Sequence, residues 1–212
     1  MAKTIGLIGK KLNLGGGRWQ LEGWDNLDIK YGYDILEYKL SPFPNNSVEL
    51  IYTSHNIEHF PWSFIPTYLS EAYRVLQPGG TIRMVVPDTD LMWAMLRDNN
   101  DEPLFHNPYY KMPGKSNRPL LVNVRQLFGF VEDMNSDQFL DNTMHLSFFN
   151  ESTLGILLAN AGFKRILKKA GPNDSIVKDF AMPAVIDENN VFVSGFDNLN
   201  AAPISLYMEA TK

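Results

Sequence analysis

The stretch KLNLGGGRW, residues 11–19, limits what this chain can fold into more than any other: a short apolar segment runs straight into three glycines. Such a segment reads as a strand, and the glycines after it supply backbone that takes positive φ and lies close against a ligand. From Trp24 the sequence WDNLDI offers a second short strand, closed by Asp28. Strand, glycine turn, strand and acid open a nucleotide-binding α/β unit, where the carboxylate accepts hydrogen bonds from ribose hydroxyls. The span from Gly15 to Asp28 is shorter than the ~20 residues of the dinucleotide fingerprint. It leaves no room for a full first helix, and the helix N-terminus that would hold a pyrophosphate is lost, which speaks against an NAD enzyme.

The rest of the chain continues the α/β alternation. YGYDIL, residues 31–36, is predicted as a third short strand, with Asp34 placed to accept from an exocyclic amine. SPFPNNS at 41–47 is a loop, because its prolines remove donors and its asparagines favour turns. VELIYTS, 48–54, is a buried strand whose polar end, Ser54, falls where sheet topology reverses and ligands sit in open α/β folds. Between Pro61 and Gln77 the residues Trp62, Ile65, Leu69, Ala72 and Leu76 recur at helical spacing, and Pro78-Gly79-Gly80 stops the helix. TIRMVV, 81–86, is another buried strand, closed by Pro87 and Asp88. Asn150 caps a helix with Leu154, Leu157, Leu158 and Ala161 on one face and Gly162 at its end. FKRILKK and ISLYMEA (204–210) read as further strands, separated by a Pro/Asn/Asp-rich stretch at 171–203.

Residues 98–148 differ in character, with Asn, Asp, Pro and aromatics in FHNPYYKMPGKSNRP and one helix-like piece, NVRQLFGFVED. A segment of this kind inside a compact domain is a lid or binding insertion. With 212 residues the chain makes one domain, 1–212, with a lid-like substrate insertion at 98–143. Phe105, Tyr109, Tyr110, Phe128 and Phe130 in it suit an acceptor pocket, and equally the packing of the lid on the sheet.

HNIEH, His55 to His59, matches H-x-x-E-H, an inverted zinc-protease pattern. That chemistry needs a helix with both histidines on one face. Pro61 pushes Phe60 away from helical ψ, and the pattern follows a strand directly, so it sits in a strand-to-helix loop. The expectation is no metal.

Composition narrows the partners. A net charge of −5, with no basic run beyond Lys168-Lys169, disfavours nucleic acid, whose binding depends on clustered Lys and Arg. Zero cysteines remove disulfides, thiol nucleophiles and Cys-zinc sites, and suit a cytoplasmic location. No apolar run approaches the ~18 residues of a membrane span, and the N-terminus carries no signal-like segment.

LNLGGG, NLDI, PFPNNSVELIYTSHNIEHF, EAYRVLQPGGTIRMVVPD and SFFNESTLGILLANAGF, in that order, resemble the class I S-adenosylmethionine-dependent methyltransferases, close to the type 11 group. The resemblance is strong over residues 11–90 and moderate over 144–167. It implies a three-layer Rossmann-like α/β sandwich on a mainly parallel seven-stranded sheet whose last strand is antiparallel. It implies S-adenosylmethionine as cofactor, with S-adenosylhomocysteine as product, and methyl transfer to a small-molecule or glycan-type acceptor.

Asn13, Gly15, Gly16 and Gly17 are similar to the loop that wraps the methionine part of the cofactor. Asp28 and Ile29 match the ribose end, Asp34 and Ile35 the adenine contacts, and Ser54 with His55 the segment beside the reacting methyl. In this resemblance HNIEH begins the helix after strand four, and Glu58 and His59 hold the loop.

His55 and His145 are the candidate bases, since an unperturbed histidine titrates near pH ~6.5. The family usually carries an acid where Asn13 stands and a glycine where Trp19 stands. Those departures fit a second reading, a catalytically degenerate binding protein of the same fold. A zinc hydrolase using His55 and His59 ranks last.

Overall fold

The computed structural model describes residues 10–17, 20–100, 145–180, 184–186, 192–194 and 204–212. Nine strands are described: β1 Lys11–Leu14, β2 Gln20–Leu21, β3 Asp25–Leu27, β4 Val48–Ser54, β5 Leu76–Pro87, β6 Lys164–Lys169, β7 Ala184–Ile186, β8 Phe192–Ser194 and β9 Ser205–Thr211. The described helices are α1 Ile35–Tyr38, α2 Ile65–Val75, α3 Thr89–Asp98 and α4 Glu151–Asn160.

The main sheet has the order β3-β1-β4-β5-β9-β6. β3, β1, β4 and β5 run parallel, and β9 enters antiparallel between β5 and β6. The middle strands are covered on both faces, which explains why TIRMVV and VELIYTS read as continuous apolar runs instead of alternating ones. On one face Ile51, Ile82 and Met84 pack with Ile65, Leu69 and Ala72 of α2 and Leu154 and Leu158 of α4. On the other, Tyr52, Val85 and Tyr207 pack with Leu21 and with Phe180 of a 3-10 turn. The Rossmann-like α/β arrangement expected from the sequence is present.

Its strand count is corrected. Among the described residues the main sheet holds six strands where seven were expected, and YGYDIL is not one of them. Asp28 and Asp34 turn their carboxylates back on the chain, where they accept from Lys30 N and Leu36 N and cap a 3-10 turn and α1. Gly32, at φ +85°, bends the chain between them. Backbone donors used locally in this way are not available to a ladder.

The helix expected over 61–77 is confined to 65–75; Trp62–Phe64 is a separate 3-10 turn, and β5 already starts at Leu76. The stretch at 171–203 contributes β7 and β8, which join β2 in a three-stranded antiparallel sheet that the loop reading did not anticipate. The Asn150 cap is present, its side chain accepting from Thr153 N at 2.9 Å.

Most of the expected insertion, with His106 and the five aromatics named for it, lies outside the described residues, as does Trp19. Among the described residues no helix is long and apolar enough to cross a membrane.

Candidate functional site

Parallel strands bring their carboxyl ends to one edge of the sheet, and β1, β3, β4 and β5 end there in Leu14, Leu27, Ser54 and Pro87. The glycine loop leaves β1 at that edge. Gly15 has φ +72°, and its N–H donates to Leu27 O at 2.8 Å. A Cβ on Gly15 would stand 2.1 Å from Asn56 Cγ, a distance no side chain tolerates. Gly16 is half-buried, and Gly17, at φ +57°, donates its N–H to Asp28 Oδ2 at 2.8 Å.

Asp28 therefore pins the loop while its other oxygen accepts from Lys30 N at 2.8 Å. A carboxylate oxygen accepts more than one hydrogen bond, so Asp28 keeps capacity for a ligand hydroxyl. Ile29 beside it leaves 67% of its surface exposed, which gives this polar corner an uncovered apolar face. Asp34 accepts from Leu36 N at 2.8 Å, and Ile35 packs against the main core. Asn13 is buried, and its Nδ2 donates to Asn26 Oδ1 at 2.8 Å. Asn26 in turn binds Leu21 and Trp24, so Asn13 ties β1 to the β2–β3 turn.

At the end of β4, Ser54 is buried and His55 departs from the strand at φ +48°. His55 N donates to Val85 O at 2.9 Å, its Nε2 lies 2.9 Å from Ser205 Oγ on β9, and its Nδ1 lies 3.1 Å from Glu58 Oε1. Ile57–His59 forms a 3-10 turn, so the helix that H-x-x-E-H requires for pairing His55 with His59 is missing.

The fold assembles a different group. Leu146 N and Ser147 N donate to Glu58 O at 2.7 and 3.0 Å, and Ser147 Oγ donates to Phe60 O at 2.7 Å. These bonds seat His145 against the turn, with its ring edge-on to His59 at 4.9 Å between centroids. Glu58 is 1% exposed. Burial alone would raise its carboxyl, but His55, then His145 and His59, outweigh that and hold it below the usual carboxylate range.

The structure thus gathers His55, His59 and His145 around one carboxylate. Sequence reasoning missed three residues here. Asn56 fills the space that Gly15 leaves, Ser205 meets His55, and Glu58 is the buried centre of a histidine group. Asn56 and Glu58 lay inside a quoted motif but carried no local signal of what they face. Ser205 is 150 positions from His55.

Residues 30–84, from the turn after Asp28 into β5, match the model of a type 11 methyltransferase family, described as a methyltransferase domain. Among solved structures, a SAM-dependent methyltransferase from Archaeoglobus fulgidus is similar at 18% identity and a TM-score of 0.50, over 96% of this chain and 86% of that one. A SAM-dependent methyltransferase from Thermotoga maritima, described as a possible histamine N-methyltransferase, aligns at 13% identity and a TM-score of 0.46, over 96% of this chain and 82% of that one. No curated protein matches. The family match agrees with the resemblance over residues 30–84, and the likeness to the Archaeoglobus protein is one of fold; LNLGGG and NLDI lie outside the matched span.

Proposed function

We propose that this chain, a class I S-adenosylmethionine-dependent methyltransferase, holds its cofactor across the carboxyl ends of β1, β3 and β4 and methylates a small-molecule or glycan-type acceptor. The observation that carries this reading is the Gly17–Asp28 bond: a positive-φ glycine loop held by a carboxylate that retains accepting capacity, with exposed Ile29 alongside. These residues fit the cofactor. Gly15, Gly16 and Gly17 present bare backbone, Asp28 accepts from ribose hydroxyls, Ile29 and Ile35 offer apolar contact to the base, and Asp34 stands close by in sequence as a second acid. Bound there, the cofactor supplies a sulfonium methyl, the electrophile of an in-line displacement.

The protein's own contribution is mainly placement, which accounts for ~7–11 kcal/mol of barrier when the acceptor is held close and aligned. Ser54 and His55 form the wall at the end of β4. His55 is the better placed base, part-exposed and set between Ser205 Oγ and the Glu58 carboxylate, whose charge favours the imidazolium formed when a proton is taken up. His145 belongs to the same group around Glu58. Trp62, Leu146 and Phe148, close in sequence to this turn and to His145, leave apolar surface exposed that suits the body of an organic acceptor.

Calorimetric titration with S-adenosylmethionine and S-adenosylhomocysteine tests this. Wild-type protein binds both, and Asp28→Ala weakens binding by ~1.5–3 kcal/mol through loss of hydrogen bonds to a charged group. Equal affinity in the variant would move the cofactor elsewhere. No binding to wild type would favour the degenerate reading, in which Asn13 serves only to hold the β2–β3 turn.

A further inference from the structure

We infer that Glu58, His59 and His145 form a site for a divalent transition-metal ion of the zinc class, with at least one coordination position left to water or to an oxygen of the acceptor. One ligand atom from each of the three residues lies within 4.8 Å of the other two. The independent sign is Glu58 itself. It is 1% exposed, and among the described residues neither carboxylate oxygen makes an aligned hydrogen bond, His55 Nδ1 standing 3.1 Å from Oε1. A buried carboxylate is costly unless something pairs with it, and a cation among two imidazoles is such a partner.

The donor set narrows the ion. Two imidazole nitrogens with one carboxylate oxygen suit Zn²⁺ and its first-row neighbours, whereas Mg²⁺ and Ca²⁺ favour all-oxygen sets. Three protein ligands leave a tetrahedral ion open at its fourth position, the arrangement of sites that act on a ligand.

The backbone fixes the group in advance. Glu58 and His59 share one 3-10 turn, and Leu146 N and Ser147 N on Glu58 O hold His145 over it. His55 takes no part as a ligand. Its positive φ turns it away from the pairing that H-x-x-E-H suggests, and its Nδ1 stands behind the carboxylate to orient it. The ligands are thus not the two histidines of the sequence pattern but one of them, its glutamate and a histidine from the distant return segment. None of its three ligands is among the residues assigned to the cofactor, so the inference does not depend on that assignment.

The test uses the full chain, stripped of metal with chelator and titrated with Zn²⁺ by calorimetry and with Co²⁺ by visible absorption. Wild type is expected to take up stoichiometric Zn²⁺ and to give the visible ligand-field bands of low-coordinate Co²⁺. Glu58→Gln and His145→Ala are each expected to lower Zn²⁺ affinity at least about tenfold and to remove those bands. Far-UV circular dichroism and the urea midpoint show that each variant is folded, and His145→Ala, at a half-buried residue, stands in should Glu58→Gln fail to fold. No stoichiometric Zn²⁺ binding by wild type, or undiminished binding by folded His145→Ala, would overturn the inference. S-adenosylhomocysteine titration on the same samples reports the cofactor site separately, so failure of one assignment is distinguishable from failure of the other.

Discussion

Glu209 and Glu58 are both buried carboxylates, one in the middle of the sheet and one at its carboxyl edge, yet their surroundings are opposite. Glu209 on β9 faces Arg83 on β5, and both side chains are 0% exposed. Its oxygens accept from Arg83 Nη1 at 2.5 Å, Ser175 Oγ at 2.5 Å and Ile176 N at 2.9 Å. Arg83 in turn donates to the carbonyls of Gly171, Pro172 and Asp174, which fastens the loop after β6 to the sheet. Glu58 has histidines close by but, among the described residues, no aligned donor on either oxygen. The first is a charge buried to hold a fold together. The second is a charge held by histidines alone among the described residues, and titratable groups in such surroundings gather where proteins bind and react.

The comparison is open to attack from its strong end. Glu209→Ala leaves the Arg83 guanidinium buried without its counter-charge and is expected to cost ~3–5 kcal/mol in urea unfolding. A loss below ~1 kcal/mol would mean that the carbonyls of the 171–174 loop suffice for Arg83, and the contrast would collapse. At the other end, Glu58→Gln without metal should cost less than Glu209→Ala, about 1 kcal/mol, because what is lost is the attraction of the neighbouring histidines and not a set of aligned hydrogen bonds among the described residues. A change as large as that of Glu209→Ala would make Glu58 a second structural anchor.

The smallest effect belongs to a carboxylate that is only partly covered. Glu71 on α2 accepts from Arg74 Nε and Nη2, both at 2.9 Å, and that hydrogen bonding holds its carboxyl below the ordinary glutamate range. A depressed folded value means that the stabilisation is present above the ordinary range and is lost as pH falls through the folded value. Glu71→Gln should therefore cost ~0.2–1 kcal/mol at neutral pH and nothing in acid, as read from urea midpoints at the two pH values. A cost that persists in acid would assign Glu71 a packing role instead of a charge role.

Much of the architecture was legible from periodicity and punctuation. Continuous apolar runs marked β4 and β5 as inner strands, and Asn150 and the glycine loop lay where they were read. What failed was local competition. Residues 31–36 have strand-like composition, but two aspartates that accept from their own backbone made turns of them.

The candidate site was legible where its residues are contiguous, as in Gly15–Gly17 with Asp28. It was not legible where the fold joins distant segments, as in Glu58 with His145 or His55 with Ser205. H-x-x-E-H misled for the same reason. A sequence pattern fixes the order of donors but not the backbone that carries them, and a positive φ at His55 with a 3-10 turn at Ile57–His59 stands where the pattern needs a helix.

The hydrogen bonds from Leu146 and Ser147 to Glu58 have a consequence for how freely the chain between α3 and His145 can vary in length. Together with Thr89 N on Phe149 O at 3.1 Å, they seat the returning chain on the ends of two sheet strands. Everything between α3 and His145 therefore leaves and rejoins the domain at fixed points. Closing a loop costs only ~0.6 kcal/mol more for each doubling of its length. The intervening segment can thus be lengthened, shortened or replaced at small cost while the glycine loop and the Glu58 turn keep their register.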